Sequence, residues 1–318
     1  MAPERSDDGP MNEKITVGFD GTGPASEAVM WAADEAVVRG ARLHIVSCFD
    51  SPALMAESSI AFGSGAAFEA MREVAAAALQ KIAHAVAAAH PALAITTEVS
   101  PGPITTALLA GATPDDLVVV GSSHHDHDAA FWLGSTPRFL VRHSACPVAV
   151  VRGAASRGKP DRVVVGTDGS PASDTAVRWA GDEADRHGVE LTIIHGWEYL
   201  YLPPEAPTNR ARDLTEVDAA CTLERSVELA TERNGARVTS MLVENTPVGA
   251  LLDSVRDGDL LVVGASGRGA LRSRLFGSTV NSVLDGCAVP VIVVRGDAST
   301  THAGVSVARE DTQLSPVG

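Results

Sequence analysis

Two segments of the chain combine glycines and hydroxyl residues at spacings that suit the binding of an anion. In the later segment Gly264 and Gly267 are followed, after nine further residues, by Gly277, Ser278 and Thr279. Glycines at fixed offsets after a strand let backbone amides approach a phosphate, and the N-terminus of a following helix attracts anions. The later segment is therefore predicted to hold a phosphate-bearing ligand.

The earlier segment has the same spacing with one change. Gly121 opens it and Gly134, Ser135 and Thr136 close it, but His124 occupies the place of the second glycine. A histidine adds a Cβ and an imidazole where a backbone amide would approach the phosphate. We expect this segment to bind such an anion weakly or not at all.

Length and charge restrict the class of protein. The 318 residues exceed one ordinary domain, and at roughly 150 residues per domain they predict two. The net charge of -15 disfavours broad attraction to nucleic acid or anionic lipid, because that attraction depends on clustered lysines and arginines. No run approaches the ~18 apolar residues that a membrane span needs. Neither nucleic acid nor a membrane is expected as a partner.

The N-terminus and the cysteines indicate a cytoplasmic protein. Residues 1–10 are polar and acidic and lack the basic and apolar regions of a secretory signal. Cys48, Cys146, Cys221 and Cys287 show no CxxC spacing, which favours reduced thiols over a metal or redox centre.

The chain contains a tandem duplication. Trp31 matches Trp179 at an offset of 148 residues, and later blocks match at an offset of 143. We therefore predict one domain at residues 12–152 and a second at residues 161–296. The realigned blocks are 15–46 with 163–194, 117–123 with 260–266, and 147–153 with 290–296.

Apolar runs predict the fold class. Runs such as LLVVG are apolar on consecutive residues, which indicates burial on both faces and hence a parallel sheet with helices on each side. We predict an α/β fold of two tandem, doubly wound, parallel five-stranded sheets, each with strand order 3-2-1-4-5 and helices on both faces. Strands are expected near 15–19, 42–48, 94–99, 117–121, 147–152, 162–167, 190–196, 236–243, 259–264 and 290–295. Helices are expected near 25–39, 66–90, 103–111, 135–144, 172–187, 213–234, 247–256 and 278–286.

This strand order determines which segments meet. Ligands bind beyond the carboxyl ends of strands where the order reverses, here between strands 1 and 4 of each half. Strand 4 leads into the glycine segments, and strand 1 leads into Asp20-Gly21-Thr22 or Asp168-Gly169-Ser170. Such a turn can be a simple helix cap, or its carboxylate can bond to a ribose hydroxyl or a base. Repetition and position favour the binding interpretation.

Both halves resemble the universal stress protein domain, whose ATP-binding members carry GxxGx(9)G(S/T) after strand 4 and Asp-Gly-Ser after strand 1. The second half matches this pattern at every glycine. The resemblance implies that its loop and helix N-terminus cradle a triphosphate, and that the strand 1 turn and the backbone after strand 2 flank the adenosine. The implied site residues are Asp168, Gly169, Ser170, His195, Gly196, Gly264, Gly267, Arg268, Gly277, Ser278 and Thr279, with ATP as ligand and Mg²⁺ beside its phosphates.

The first half departs from the family pattern at His124. Its loop also carries Asp126 and Asp128, where the second half has arginines at 268, 272 and 274. We therefore expect weaker nucleotide binding there. The corresponding residues are Asp20, Gly21, Gly121, Gly134, Ser135 and Thr136.

The same loop raises the hypothesis of a metal site. His124, His125 and His127 stand beside the two aspartates, and these side chains suit Zn²⁺ or a similar ion. Residues so close in sequence cannot all reach one ion without a tight turn, and no HExxH or CxxC motif accompanies them. A solvated loop is the favoured interpretation.

The predicted function is that of a cytoplasmic, ATP-binding stress-response regulator rather than an enzyme. The chain has no GxxxxGK(S/T) and no GxSxG motif. Slow ATP hydrolysis, a protein-interaction module without nucleotide, and an adenylate-forming or flavoprotein-like enzyme are the alternatives. Strand 5 would leave an open sheet edge, and in the family it commonly mediates association. We expect the two halves to pair within the chain, and a further homodimer is considered.

Overall fold

The computed structural model describes residues 13–49, 64–122, 133–153, 158–198, 208–232, 235, 237–266 and 277–295. Strands and helices alternate in both halves, as the apolar runs predict. In the first half they are β1 (Lys14–Gly18), α1 (Gly23–Arg39), β2 (Arg42–Phe49), α2 (Ser64–Ala89), β3 (Ile95–Pro101), α3 (Ile104–Leu109), β4 (Leu117–Gly121), α4 (Ser135–His143) and β5 (Val148–Val151). In the second half they are β6 (Arg162–Gly166), α5 (Pro171–His187), β7 (Glu190–Trp197), α6 (Thr208–Thr231), β8 (Val238–Glu244), α7 (Pro247–Ser254), β9 (Leu260–Gly264), α8 (Ser278–Gly286) and β10 (Val291–Val294).

The sheet confirms the α/β class and the predicted order inside each half. The order is β3-β2-β1-β4-β5 followed by β10-β9-β6-β7-β8, and neighbours within a half are parallel. It differs from two separate sheets in one respect. Strands β5 and β10 pair antiparallel, so the ten strands form one sheet. The pairing satisfies backbone groups that two open edges would expose.

The β5–β10 pairing has local twofold symmetry. Ala149 lies opposite Ile292, and these residues match at the offset of 143. On either side Val150 lies opposite Val291, and Val148 opposite Val293. The two halves are thus related by an axis through the middle of the sheet.

Two arginines reinforce the symmetric contact between the halves. Arg152 follows β5 and donates to the carbonyl of Cys287, at 2.8 Å, and to that of Leu284 near the end of α8. Its counterpart Arg295 follows β10 and donates to the carbonyl of Arg142 near the end of α4. Cations at helix C-termini are favourable, because the last carbonyls lack intrahelical partners.

The core lies on both faces of the sheet. One face is packed by α1, α2, α5 and α6, and the other by α3, α4, α7 and α8. Trp31 is buried in the first of these layers. Trp179 packs against the same layer, and the Arg39 guanidinium lies 5.0 Å from the centre of the Trp179 ring. Both tryptophans are therefore packing residues. Among the described residues, no helix combines the length and apolarity that crossing a bilayer requires.

Candidate functional site

Sheet topology brings the distinctive segments of the second half together at the carboxyl ends of the strands. This end of the sheet is called the edge below; it is not an edge strand. Strands β6 and β9 are parallel neighbours, so their carboxyl ends face the same side. The Asp168–Ser170 turn follows β6, and Gly264 ends β9. Strands β1 and β4 place Asp20 and Gly121 equivalently in the first half. Parallel strands at a reversal of strand order form a crevice where this class of fold holds ligands.

The aspartate of each turn hydrogen-bonds within the turn. Asp168 Oδ1 accepts from the Ser170 amide at 3.0 Å, and Asp20 Oδ1 accepts from the amide and hydroxyl of Thr22 at 3.0 and 2.6 Å. Gly169 has φ +70° and Gly21 φ +84°, in the left-handed region that glycine tolerates. The turn interpretation is thus realised in both halves, and it holds the Asp168 carboxylate at the sheet edge.

Each turn also starts a helix. Thr22 caps α1 by accepting from the Ala25 amide, and Ser170 caps α5 by accepting from the Ser173 amide, both at 3.3 Å. Proline stands in the first turn of both helices, where its missing amide hydrogen costs nothing. Capping α5 is by itself a sufficient reason for a serine at 170, and its predicted contact with a ligand stays a prediction.

The first glycine of each motif is explained by packing. A Cβ on Gly121 would lie 2.5 Å from the Pro24 carbonyl oxygen, and one on Gly264 would lie 2.8 Å from that of Ala172. Both oxygens belong to the first turn of the helix that follows strand 1 of the same half. Glycine lets the end of strand 4 approach that helix closely. This requirement is the same in both halves, whatever ligand each half holds.

The last glycine of each motif stands at a helix N-terminus. Gly134 precedes α4 and Gly277 precedes α8, and as glycines they offer no side chain that could cap the helix. The first amides of a helix lack intrahelical partners and carry a partial positive charge, which suits a phosphate. The first two helical residues are Ser135 and Thr136 in α4, and Ser278 and Thr279 in α8.

A buried polar network underlies the turn of the second half. The Thr167 hydroxyl lies 2.9 Å from that of Ser226 and 3.3 Å from that of Ser173. His195, 8% exposed, donates from Nδ1 to the Thr167 carbonyl at 2.7 Å. The network joins β6, α5, β7 and α6 directly beneath Asp168.

The first half has apolar residues at two positions of this network. At the offset of 148, Phe19 matches Thr167 and Ala25 matches Ser173, and both first-half residues belong to the hydrophobic core. Sequence reasoning missed Thr167, Ser173 and Ser226. Comparing the two copies at constant offset would have revealed the first two, since both are polar only in the second copy.

Gly196 lies inside β7 rather than after it, and packing again explains the glycine. A Cβ there would lie 2.8 Å from Ala250 Cβ and 2.9 Å from Pro247 Cα. His195 and Gly196 therefore have structural roles at the edge: the His195 ring bonds to the Thr167 carbonyl, and Gly196 allows close packing against α7.

Arg225 on α6 brings a positive charge to the turn. Its guanidinium pairs with Asp174 and lies 3.4 Å from the Gly169 carbonyl oxygen. The side chain is 55% exposed, so it borders the edge. Sequence reasoning missed this residue, because no local motif links α6 to a turn about 50 positions earlier.

Part of the predicted site lies outside the described residues. This applies to Gly267 and Arg268, to the arginines at 272 and 274, and to His124 with the remaining loop at 125–128. Their predicted roles stay predictions.

The fold and this edge define a doubly wound α/β protein with one such edge in each half. The universal stress protein family model matches residues 11–152 and 160–295, and the chain belongs to that family. It is 33% identical over 298 residues to a universal stress protein of Mycobacterium tuberculosis, covering 88% of this chain and 96% of that relative. It is 30% identical over 292 residues to one of Mycolicibacterium smegmatis, again covering 88% and 96%.

A solved structure supports the fold. A universal stress protein from Archaeoglobus fulgidus superposes with a TM-score of 0.66 at 19% identity, covering 89% of this chain and 98% of that one. The likeness therefore extends across both halves.

Proposed function

We propose that this protein is an ATP-binding regulator of a stress response, with the nucleotide in the second half. One observation carries the proposal: the Asp168 turn and the β9 end share one sheet edge, beyond adjacent parallel strands. Family membership supports it. The phosphates would lie at the N-terminus of α8, with Mg²⁺ beside them, and the adenosine would lie by the turn.

The asymmetry between the halves supports one nucleotide per chain. The second half has Thr167 in a polar network and a glycine at 267, whereas the first has Phe19 and His124 at the matching positions of the sequence. An acidic chain needs local positive charge to hold a triphosphate, and the arginines at 268, 272 and 274 would supply it in the second half. We propose binding without efficient turnover, with the two halves acting as one unit and assembling further as a homodimer.

Native mass spectrometry of the full chain tests this proposal. We expect one adenine nucleotide per chain. Two would show that the first half is competent, and none in the presence of ATP and Mg²⁺ would contradict the proposal.

A matched pair of substitutions locates the site. Gly277→Val and Gly134→Val both change a helix N-cap with φ near −60°, which valine adopts without strain. By calorimetry Gly277→Val should weaken ATP binding at least about tenfold, because its side chain covers the amides that a phosphate would approach. Gly134→Val should leave the affinity unchanged, and equal losses would contradict the asymmetric site. Phosphate release well above the Gly277→Val background would indicate an ATPase.

A further inference from the structure

A cluster of buried charges lies where α1 meets α5, on the axis between the two halves. It consists of Glu35 and Arg39 from the first half and Glu183 and His187 from the second, and no side chain is more than 4% exposed. At the offset of 148, Glu35 matches Glu183 and Arg39 matches His187. The cluster is separate from the nucleotide edge, because it contains the C-terminal ends of these helices.

The contacts divide the carboxylate oxygens between two partners. Arg39 pairs with Glu35 Oε1 and, at 2.6 Å, with Glu183 Oε2. His187 Nε2 lies 3.1 Å from Glu35 Oε2 and 3.1 Å from Glu183 Oε1. One oxygen of each glutamate therefore points to the same imidazole nitrogen.

Burial and charge set the protonation of this cluster. Burial and the Glu183 charge raise the pKa of Glu35. Burial alone would lower the pKa of His187, but its bonds to Glu183 and Glu35 raise it to about 9.

We propose that Glu35 Oε2, Glu183 Oε1 and His187 Nε2 form a site for Zn²⁺ or a similar divalent transition ion, which links the two halves. The three atoms lie within 4.8 Å of one another. An ion placed among atoms so separated lies about 2 to 2.5 Å from each, close to the zinc bond lengths of about 2.0–2.2 Å. An imidazole ligand favours such ions over Mg²⁺ and Ca²⁺. Any proton on Nε2 leaves to solvent when the ion binds.

The surroundings of the three ligands suit a metal centre. Arg39 holds the outer oxygen of each glutamate, and outer contacts of this kind orient metal-binding carboxylates. His187 Nδ1 is buried and has no hydrogen-bond partner among the described residues. When Nε2 binds an ion, Nδ1 must carry the proton and seeks an acceptor. Because Nδ1 is buried, the ring must turn toward the cavity that His187 borders before a water there can accept that bond.

The cavity also supplies an access route and negative charge. Its volume is about 450 Å³, and Glu35 and His187 form part of its wall. A water in it can serve as the fourth ligand. The cluster and its neighbours carry one net negative charge when His187 is neutral. Three carboxylates face two guanidinium groups: those of Glu13, Glu35 and Glu183, and those of Arg39 and Arg186. The lining adds Asp34, Asp161 and Asp257 against Lys159, while its fourth aspartate, Asp259, is paired with Arg162. The remaining negative charge favours a divalent cation.

The test measures zinc in the full chain after equilibration with ZnCl₂ and removal of free metal. We expect one Zn²⁺ per chain in the wild type and none in His187→Gln. His90→Gln is the matched control, because His90 lines the same cavity, where it pairs with Asp34 at 2.9 Å, and is not a ligand. A second control replaces the loop histidines: His124→Gln, His125→Gln and His127→Gln. Both controls should retain the ion.

Two further readouts keep the outcome clear if His187→Gln folds poorly. X-ray absorption of the wild-type zinc complex should show one imidazole and oxygen neighbours, whereas two or three imidazoles would assign the metal to the loop. Zinc at one hundred times its Kd should raise the Tm of the wild type by about 4 °C and leave that of Glu35→Gln unchanged. Zinc retained in His187→Gln, lost with the loop histidines, or absent from the wild type would overturn the site.

Discussion

The first glycine of each motif offers a test that separates packing from ligand binding. In Gly121→Ala the new Cβ would lie 2.5 Å from the Pro24 carbonyl oxygen and 2.8 Å from its carbon. Optimal separations between non-bonded heavy atoms are about 3.5–4.0 Å, so the overlap is about 1 Å. Both contacts are with backbone, so no change of rotamer relieves them.

The expected cost follows from that overlap. Strand β4 and helix α1 must move apart, and overpacking of this kind costs about 1–3 kcal/mol. Gly264→Ala should cost somewhat less, because its closest contact is 2.8 Å. With a urea dependence of about 2 kcal/mol per molar, a loss of 2 kcal/mol lowers the unfolding midpoint by about 1 M. Urea titration followed by circular dichroism, without nucleotide, measures this shift.

Gly134→Ala is the control for this measurement. Among the residues that the structure describes, its Cβ would meet nothing closer than Pro137 Cδ at 3.7 Å, and its φ of −57° suits alanine. We expect a change below about 0.5 kcal/mol. If Gly121→Ala unfolded at the same urea concentration as Gly134→Ala, the packing explanation would be refuted. Gly121 would then need another reason to be glycine in a half whose motif is incomplete.

Two other predictions concern the contact between the halves and the thiols. Arg152→Leu should lower the free energy of unfolding by about 2–3 kcal/mol, because it leaves carbonyls at the end of α8 unpaired. Arg295→Leu should lower it by about 1 kcal/mol or less, because Arg295 is exposed. Equal losses in urea titrations would contradict this reasoning. Iodoacetamide at pH 8 should alkylate the exposed Cys221 first, and Cys146 and Cys287 only on unfolding, because burial raises the pKa of both thiols; peptide mass spectrometry in native buffer would expose the opposite order.

Regular elements could be predicted well because their signals are local. The helix expected at 278–286 is Ser278–Gly286, and the strand expected at 117–121 is Leu117–Gly121. Consecutive apolar residues indicated burial on both faces and hence a parallel sheet, and the duplication indicated that both halves share one topology. Neither pattern specifies the strand order, which the structure confirms in each half. The ends of some longer helices were predicted less accurately: the helix expected at 213–234 is Thr208–Thr231.

The site was predicted less completely, because much of it depends on contacts between distant elements. Asp168 and Gly264 could be assigned to one edge from topology alone. The polar network at Thr167 could not, since Ser226 lies on a helix 59 positions away. The sequence also offered no means to distinguish a glycine needed for a ligand from one needed for packing, and Gly196 and Gly264 prove to have packing roles.

The buried cluster at the axis shows what a fused pair can encode that two identical chains cannot. In a symmetric homodimer, both positions corresponding to Arg39 and His187 would carry the same residue. Two arginines would neutralise both glutamates but could never bind a metal, and two histidines would leave no permanent cation in a buried site. Fusion permits one of each, so a single gene can specialise the two sides of its own axis independently.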